Sequence, residues 1–179
     1  VGIFNEGNDT TQKVVAERLT RFRADLESRL HNETDPRRIM DLAATVVGQH
    51  LKANRTGYGE IQRDGATVIF EGSYVDGVAP IKGAYSLDDF GAKNISAQRA
   101  GHVVSCADVN VDPDQDPARW KAIDTRAFAS VPLIRNGQFV ASFYVNFSAP
   151  HLWTADELAL IKDVAARTWE AVERAHAEE

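Results

Sequence analysis

The chain has 179 residues, of which 44% are hydrophobic, enough to bury one core of ordinary size. Its net charge of −6 argues against unassisted binding of nucleic acid, because that affinity depends on neutralising phosphates. No apolar run is long enough to span a membrane, the start does not resemble a signal peptide, and the single cysteine excludes an internal disulfide. We therefore expect a cytoplasmic protein with no membrane insertion and no nucleic-acid partner.

Two helices are predicted in the first third of the chain. The first covers residues 11–32, and its apolar residues recur every three or four positions to form a narrow stripe: Val15, Leu19, Phe22, Leu26 and Leu30. So narrow a stripe is typical of a coiled coil or helical bundle. The second helix is predicted to begin at Asp35, a good N-cap residue, and Pro36, which suits the first helical position.

The middle of the chain is richer in β-forming residues. The runs TGYGEIQ and TVIFEGSYV predict two strands, and the Asp64-Gly65 pair between them predicts a hairpin turn. Residues 86–101 are expected to form a loop and a short helix. A further strand is predicted around HVVSCADV, and Pro117 lies near the start of another short helix.

The last third predicts a hairpin followed by a long helix. Strands are expected at 127–135 and 138–147, joined by Asn136-Gly137. Thr154 and Glu157 form a capping box at the start of the helix. This helix carries a second narrow stripe, made of Leu158, Ile161, Ala165 and Val172, and no stop signal precedes Glu179. We expect it to continue as a connector, and the whole layout predicts an α+β domain with a mainly antiparallel sheet.

The order and spacing of these segments resemble a bacterial GAF domain. The resemblance runs from Asp35 to Ala177 and is carried by GYGEI, GAYSLDDFG, RAGHVVSCADVNVDPD, the SVPL strand with its Asn-Gly turn, and the WTADE helix start. These segments look most like the GAF modules of sensor histidine kinases, which are related in fold to phytochrome chromophore domains. The resemblance implies a central antiparallel sheet of five or six strands, terminal helices on one face and a small-molecule pocket on the other.

On this basis the chain divides into an N-terminal linker or signalling helix, 1–34, and a sensory domain, 35–179. The resemblance also implies candidate ligand contacts, of which we expect no more than about half to touch a ligand: Tyr58, Phe70, Tyr74, Tyr85, Phe90, His102, Cys106, Trp120, Phe128 and Tyr144. No catalytic residue is assigned. No metal site is expected either, because the five histidines are scattered and the Asp-rich turn lacks an EF-hand's glycine and distal glutamate.

The expected function is sensing of an unidentified small molecule by a non-enzymatic domain, with signal output through a histidine kinase domain of a two-component system. The two stripes are expected to form a homodimer interface. A ligand-free dimerisation module is the alternative. A redox GAF reductase needs several cysteines, and covalent bilin attachment needs a Cys-His context or an upstream cysteine, so neither is expected here. The Asn-Lys pattern of cyclic-nucleotide-binding GAF domains is reversed in Lys93-Asn94, and the cofactor question stays open.

Overall fold

A computed structural model describes the backbone of residues 2–178 and the side chains of residues 10–178. The chain forms two compact units, residues 1–34 and residues 35–179, and each is described by itself. The first unit is helix α1 (Gly2–Leu30), which begins earlier than the sequence predicted. Along α1, Val14 and Val15 are 40% and 46% exposed, whereas Phe22 and Leu26, which were expected at a dimer interface, are already buried within one chain. None of the described helices is long and apolar enough to cross a membrane.

The second unit is built on one antiparallel sheet of seven strands. They are β1 (Arg55–Ile61), β2 (Thr67–Phe70), β3 (Tyr74–Val75), β4 (Gly83–Ser86), β5 (Val104–Cys106), β6 (Ala127–Arg135) and β7 (Gln138–Phe147). Six of them follow the order β4-β2-β1-β7-β6-β5, and the short β3 pairs with β1 as a seventh. The predicted α+β class and antiparallel sheet are confirmed. The sequence analysis did not predict β4 as a strand.

The longest hairpin joins β6 and β7, at the bounds that the sequence predicted. Its turn residues, Asn136 and Gly137, have φ values of 53° and 76°. A two-residue turn with two positive φ angles matches the twist of the paired strands, and Asn-Gly adopts it at low cost. The turn therefore sets the pairing of the residues next to it, and a β-bulge between Leu133 and Ile134 shifts the register of the rest of the hairpin.

Helices α2 (Pro36–Leu51) and α5 (Ala155–Ala177) cover one face of the sheet. Both predicted helix starts are confirmed. The Asp35 side chain accepts a hydrogen bond from the backbone N–H of Arg37, and Thr154 and Glu157 form the reciprocal capping box. Each start satisfies backbone donors that the first helical turn leaves without intrahelical partners.

The apolar face of α5 is wider than the sequence analysis proposed. The residues expected there at a dimer interface were Leu158, Ile161, Ala165 and Val172. Three of them, Ile161, Ala165 and Val172, are 0% exposed within one chain. They share their helix face with buried Leu160, Val164 and Trp169, and α5 packs against α2 and β6. Three of the four stripe residues on α5 are therefore core, and Leu158 stays partly exposed.

The opposite face of the sheet lies under a covering segment, formed by the 3₁₀ helix Leu87–Phe90, α3 (Ala92–Arg99), α4 (Pro117–Lys121) and their loops. Successive residues of a strand point to opposite faces, and directly paired residues share a face. The pairs Arg55–Asn146, Gly57–Tyr144 and Gly59–Ser142 lie on the covered face. The intervening pair Tyr58–Phe143 lies on the helix face.

Candidate functional site

An inner cavity of about 50 Å³ lies between the sheet and the covering segment. Most of its wall is apolar, including Phe70, Ile81, Phe90, Trp120, Ile123 and Phe128. A smaller polar group interrupts this wall: Asn94, Gln98, Ser130, Ser142, Tyr144 and Asn146. An apolar wall with a few placed polar groups is the usual composition of a small-molecule site.

Two glycines of β1, Gly57 and Gly59, lie under aromatic rings that line the inner cavity. A Cβ atom at Gly57 would lie 2.6 Å from the hydroxyl oxygen of Tyr144. A Cβ atom at Gly59 would lie 2.5 Å from the ring of Phe70. Real Cβ atoms do not approach neighbours so closely, so any larger residue would displace one of the two aromatic rings. The glycines therefore allow both rings to lie directly over the β1 backbone.

An outer cavity of about 270 Å³ adjoins the inner one. The two share four lining residues, Ile81, Phe90, Trp120 and Ile123. The Trp120 ring stacks on Phe128 with centroids 4.2 Å apart, and Phe90 lies 6.2 Å from Trp120. These four side chains form the partition between the cavities, and their displacement would join the two spaces.

Polar side chains fasten the covering segment to itself and to the sheet. Asn94 and Gln115 exchange hydrogen bonds of 2.9 and 3.1 Å, and the indole N–H of Trp120 donates to Gln115 Oε1 at 3.1 Å. The Ser142 hydroxyl donates to Gln98 Oε1 at 2.6 Å, which ties α3 to β7. These hydrogen bonds hold the walls of the cavity in place.

Two hydroxyl groups of the inner cavity make no hydrogen bond with any described residue. Tyr144 is 7% exposed, and burial raises the pKa of its phenol to about 12, against the opposing effect of nearby Arg55. Ser130, its direct cross-strand partner, is half-buried. Both groups can therefore bond a ligand without breaking a protein–protein hydrogen bond.

Arg55 is a buried cation beside this cavity, with 2% of its surface exposed. Its Nε and Nη2 atoms donate to the carbonyl of Ala79 at 3.0 and 2.7 Å, and Nη1 donates to Thr125 Oγ1 at 3.2 Å. With the Asn146 amide oriented to satisfy both its atoms, the amide oxygen also accepts from Nη1 at 3.2 Å. Burial lowers the pKa of Arg55, and Tyr144 and Asp124 oppose that effect.

Six of the ten predicted ligand contacts line these cavities. Phe70, Phe90, Trp120, Phe128 and Tyr144 line the inner cavity, and Tyr85 lines the outer one. The predictions for the other four, Tyr58, Tyr74, His102 and Cys106, are not supported, because these residues line neither cavity.

Each of these four residues has a different position. Tyr58 lies on the helix face, where its hydroxyl donates to the Ala165 carbonyl at 2.9 Å and its ring lies 5.7 Å from that of Trp169. The ring of Tyr74 lies against Gly48 of α2, and His102 is exposed.

Cys106 is 3% exposed and packs with Val109, Trp120 and Phe128. Burial raises the pKa of its thiol to about 11, which disfavours the reactive thiolate. Among the side chains that the structure describes, no group of three or more His, Cys, Asp or Glu residues converges on a metal position.

Sequence reasoning missed the polar side of the cavity: Arg55, Gln98, Ser130, Ser142 and Asn146. A signal for part of it exists in β7, where Ser142, Tyr144 and Asn146 occupy every second position. The residues between them are apolar, so this alternation indicates a polar group on one face. Arg55 and Gln98 carry no comparable local signal.

Comparison with known proteins identifies the fold. The chain is similar in structure to the free methionine-R-sulfoxide reductase of Neisseria meningitidis, solved in complex with its substrate (TM-score 0.71, 14% identity, 90% of this chain and 94% of that chain). It is also similar to the chromophore-binding domain of a bacteriophytochrome from R. palustris (0.76, 12%, 91% and 64%). A third similar structure is the GAF domain of a phosphoenolpyruvate-protein phosphotransferase from Coxiella burnetii (0.74, 12%, 91% and 97%).

No curated protein sequence matches the chain. The profile of the GAF domain matches residues 35–172, which is most of the chain and covers the whole sheet, both cavities and α5 as far as Val172. The chain therefore belongs to the GAF domain family.

Proposed function

We propose that this chain is a sensory GAF domain that binds a small molecule in the inner cavity and transmits binding to its terminal helices. The observation that carries the proposal is the composition of the cavity, an apolar chamber with the hydroxyls of Tyr144 and Ser130 unpaired among the described residues. A ligand that binds one conformation better than another shifts the population towards it, which is the physical basis of sensing.

Strand β1 supplies a route from the cavity to the helices. Gly57 and Gly59 lie on the cavity face, and Tyr58 between them lies on the helix face. The Tyr58 hydroxyl is bonded to the α5 carbonyl of Ala165. A ligand that displaces Tyr144 presses on Gly57, and a shift of β1 then moves the attachment point of α5.

The wider context of the proposal rests on the sequence resemblance. We propose a cytoplasmic two-component protein, with a histidine kinase as its output domain and a homodimer formed through α1. The domain alone is proposed to be non-enzymatic. The buried position of Cys106 and the raised pKa of its thiol support this view, since cysteine chemistry requires an accessible thiolate.

A ligand-free dimerisation module is the second candidate, and the small volume of the inner cavity favours it. About 50 Å³ is well below the roughly 150 Å³ of a cavity that accepts benzene. A ligand larger than a few atoms must therefore displace the partition residues.

A fragment screen by protein-observed NMR separates these functions. The sensory proposal expects at least one fragment to shift the amide signals of β6, β7 and α3, and to raise the unfolding midpoint, because binding to the native state stabilises it. Ser130→Leu places a larger side chain in the β6 wall of the inner cavity and should abolish binding. Ser105→Leu, the same change at an exposed position of β5, is the control and should leave binding intact. Absence of any fragment binding would favour the dimerisation module.

A further inference from the structure

We propose that the ligand of the inner cavity is a small organic acid whose carboxylate lies at the corner lined by Tyr144 and Asn146, next to the buried guanidinium of Arg55. This inference rests on the proposed function, because it names the chemical class of ligand for the same cavity. Four features of the site support this inference: a buried charge, its position beside the cavity, an unpaired hydrogen-bond donor and an apolar wall.

The first observation is a buried positive charge without a carboxylate partner. Arg55 is 2% exposed, and none of the ion pairs among the described residues includes it. Its partners are a backbone carbonyl, a hydroxyl and an amide, all of them neutral. Asp124 acts on the guanidinium only as a more distant charge and is itself exposed. A buried charge is costly unless it is paired, and an anionic ligand would supply the missing partner.

The second observation is that Arg55 lies on the covered face of the sheet, next to the cavity. It is the direct cross-strand partner of Asn146, which lines the inner cavity. Two residues further along each strand, Gly57 pairs with Tyr144. The Arg55 side chain therefore lies next to Asn146. It stands at one end of the row of polar β7 residues that line the cavity, Ser142, Tyr144 and Asn146.

The third observation is a hydrogen-bond donor without an acceptor. The Tyr144 hydroxyl lies over Gly57, its residue is 7% exposed, and it bonds no described group. Burial holds the phenol protonated at neutral pH, which makes it a donor suited to a carboxylate oxygen. Ser130, opposite Tyr144 in β6, places a second unpaired hydroxyl beside it.

The rest of the ligand must be apolar and short. Away from the corner, the wall consists largely of Phe70, Ile81, Phe90, Trp120 and Ile123. The inner cavity holds only a few atoms, and a longer tail must pass the partition into the outer cavity of about 270 Å³. A short aliphatic monocarboxylate satisfies both the charge of the corner and the character of the wall.

Titration with sodium butyrate and with butyramide tests the proposal, because the two compounds have the same number of heavy atoms and differ in charge. Both are titrated into the whole chain at constant ionic strength and followed by NMR. We expect butyrate to shift the backbone amides of Tyr144 and Asn146, and to bind at least about tenfold more tightly than butyramide, as a charge-assisted hydrogen bond implies.

Variants then assign the preference to the corner. Tyr144→Phe removes a hydroxyl that no described residue uses. It should weaken butyrate binding about tenfold and butyramide binding less, because the amide oxygen accepts only a neutral hydrogen bond. Tyr74→Phe, the same change at a tyrosine that lines neither cavity, is the matched control and should leave both affinities unchanged. Arg55→Gln should abolish the preference for butyrate. Arg55 also bonds Ala79 and Thr125. If Arg55→Gln does not fold as the wild type does, Tyr144→Phe still tests the proposal.

The outcomes separate the two proposals. Equal binding of butyrate and butyramide would overturn the organic-acid inference and leave the sensory function standing. The same holds if Tyr144→Phe has no effect, or if only uncharged fragments bind in the screen. If no compound of either kind binds in the cavity, both proposals fail.

Discussion

Tyr58 and Tyr144 lie on opposite faces of the sheet, and each is 7% exposed. Tyr58 donates to the Ala165 carbonyl, whereas Tyr144 bonds no described residue. We predict that Tyr58→Phe lowers the free energy of unfolding by about 1 kcal/mol, the usual net value of one hydrogen bond. Tyr144→Phe should leave it nearly unchanged. Urea unfolding of both variants measures the difference, and equal losses would contradict this account of the two hydroxyls.

At Cys106, burial controls both access and ionisation. The thiol pKa is raised to about 11 from an ordinary value of 9.0, so the thiolate fraction at neutral pH falls about a hundredfold. We predict that iodoacetamide labels the native thiol at least about a hundredfold more slowly than the urea-unfolded chain at pH 7.5. The native rate should keep rising as the pH approaches 11. Rapid native labelling that levels off near pH 8 would show an exposed, activated thiol instead.

At the scale of elements, the start of α5 is connected to the end of β7. Glu157 accepts from the Thr154 backbone N–H and also pairs with His151, whose ring stacks on Phe147 at 4.1 Å. We predict that Thr154→Ala lowers the free energy of unfolding by about 1 kcal/mol, the typical value of an N-cap. Thr154→Ser keeps the hydroxyl and should lose much less. Chemical denaturation monitored by circular dichroism measures both, and an equal loss would mean that the hydroxyl does not act as the cap.

Elements with local signals could be predicted from the sequence. The turn at Asn136-Gly137, the N-cap at Asp35 and the capping box at Thr154 each depend on residues adjacent in the chain. Strand β4 could not be predicted in this way, because it pairs with β2 across the 3-D structure and its residues have no clear alternation. Strand propensity depends on the neighbouring strands, which the sequence alone does not specify.

The cavity could be predicted only in part for the same reason. The sequence predicts that aromatic residues line the cavity, and most of those named do. Tyr58 does not, because it lies on the helix face. Alternation along β1 separates Tyr58 from Gly57 and Gly59, yet alternation alone does not reveal which face meets the cavity. The contribution of Arg55 depends on its pairing with Asn146, about ninety residues away in sequence, and no local pattern indicates that pairing.

For the molecule as a whole, the two faces of the sheet differ in how tightly they are packed. The helix face is densely packed and carries the buried residues of α2 and α5, such as Val47 and Ile161. The covered face keeps a cavity and a buried charge without a carboxylate partner among the described residues. These are costly features for a domain that has only to fold, and each becomes favourable when a suitable ligand binds. That contrast supports sensing over a purely structural role.

For dimerisation, the relevant surface is on α1, where described apolar side chains are exposed. Val15 is 46% exposed and begins the stripe that continues to Leu19. Burying such residues against a second copy contributes roughly 1.5–3 kcal/mol each, enough for a few of them to hold a micromolar dimer.

We predict that the wild type is a dimer and that Val15→Glu combined with Leu19→Glu gives a folded monomer. Val14→Glu introduces the same charge at an exposed position beside the stripe, and should leave the dimer intact. Light scattering over a dilution series, with circular dichroism to verify folding, measures each chain. A wild type that stays monomeric at high micromolar concentration would rule out the α1 interface.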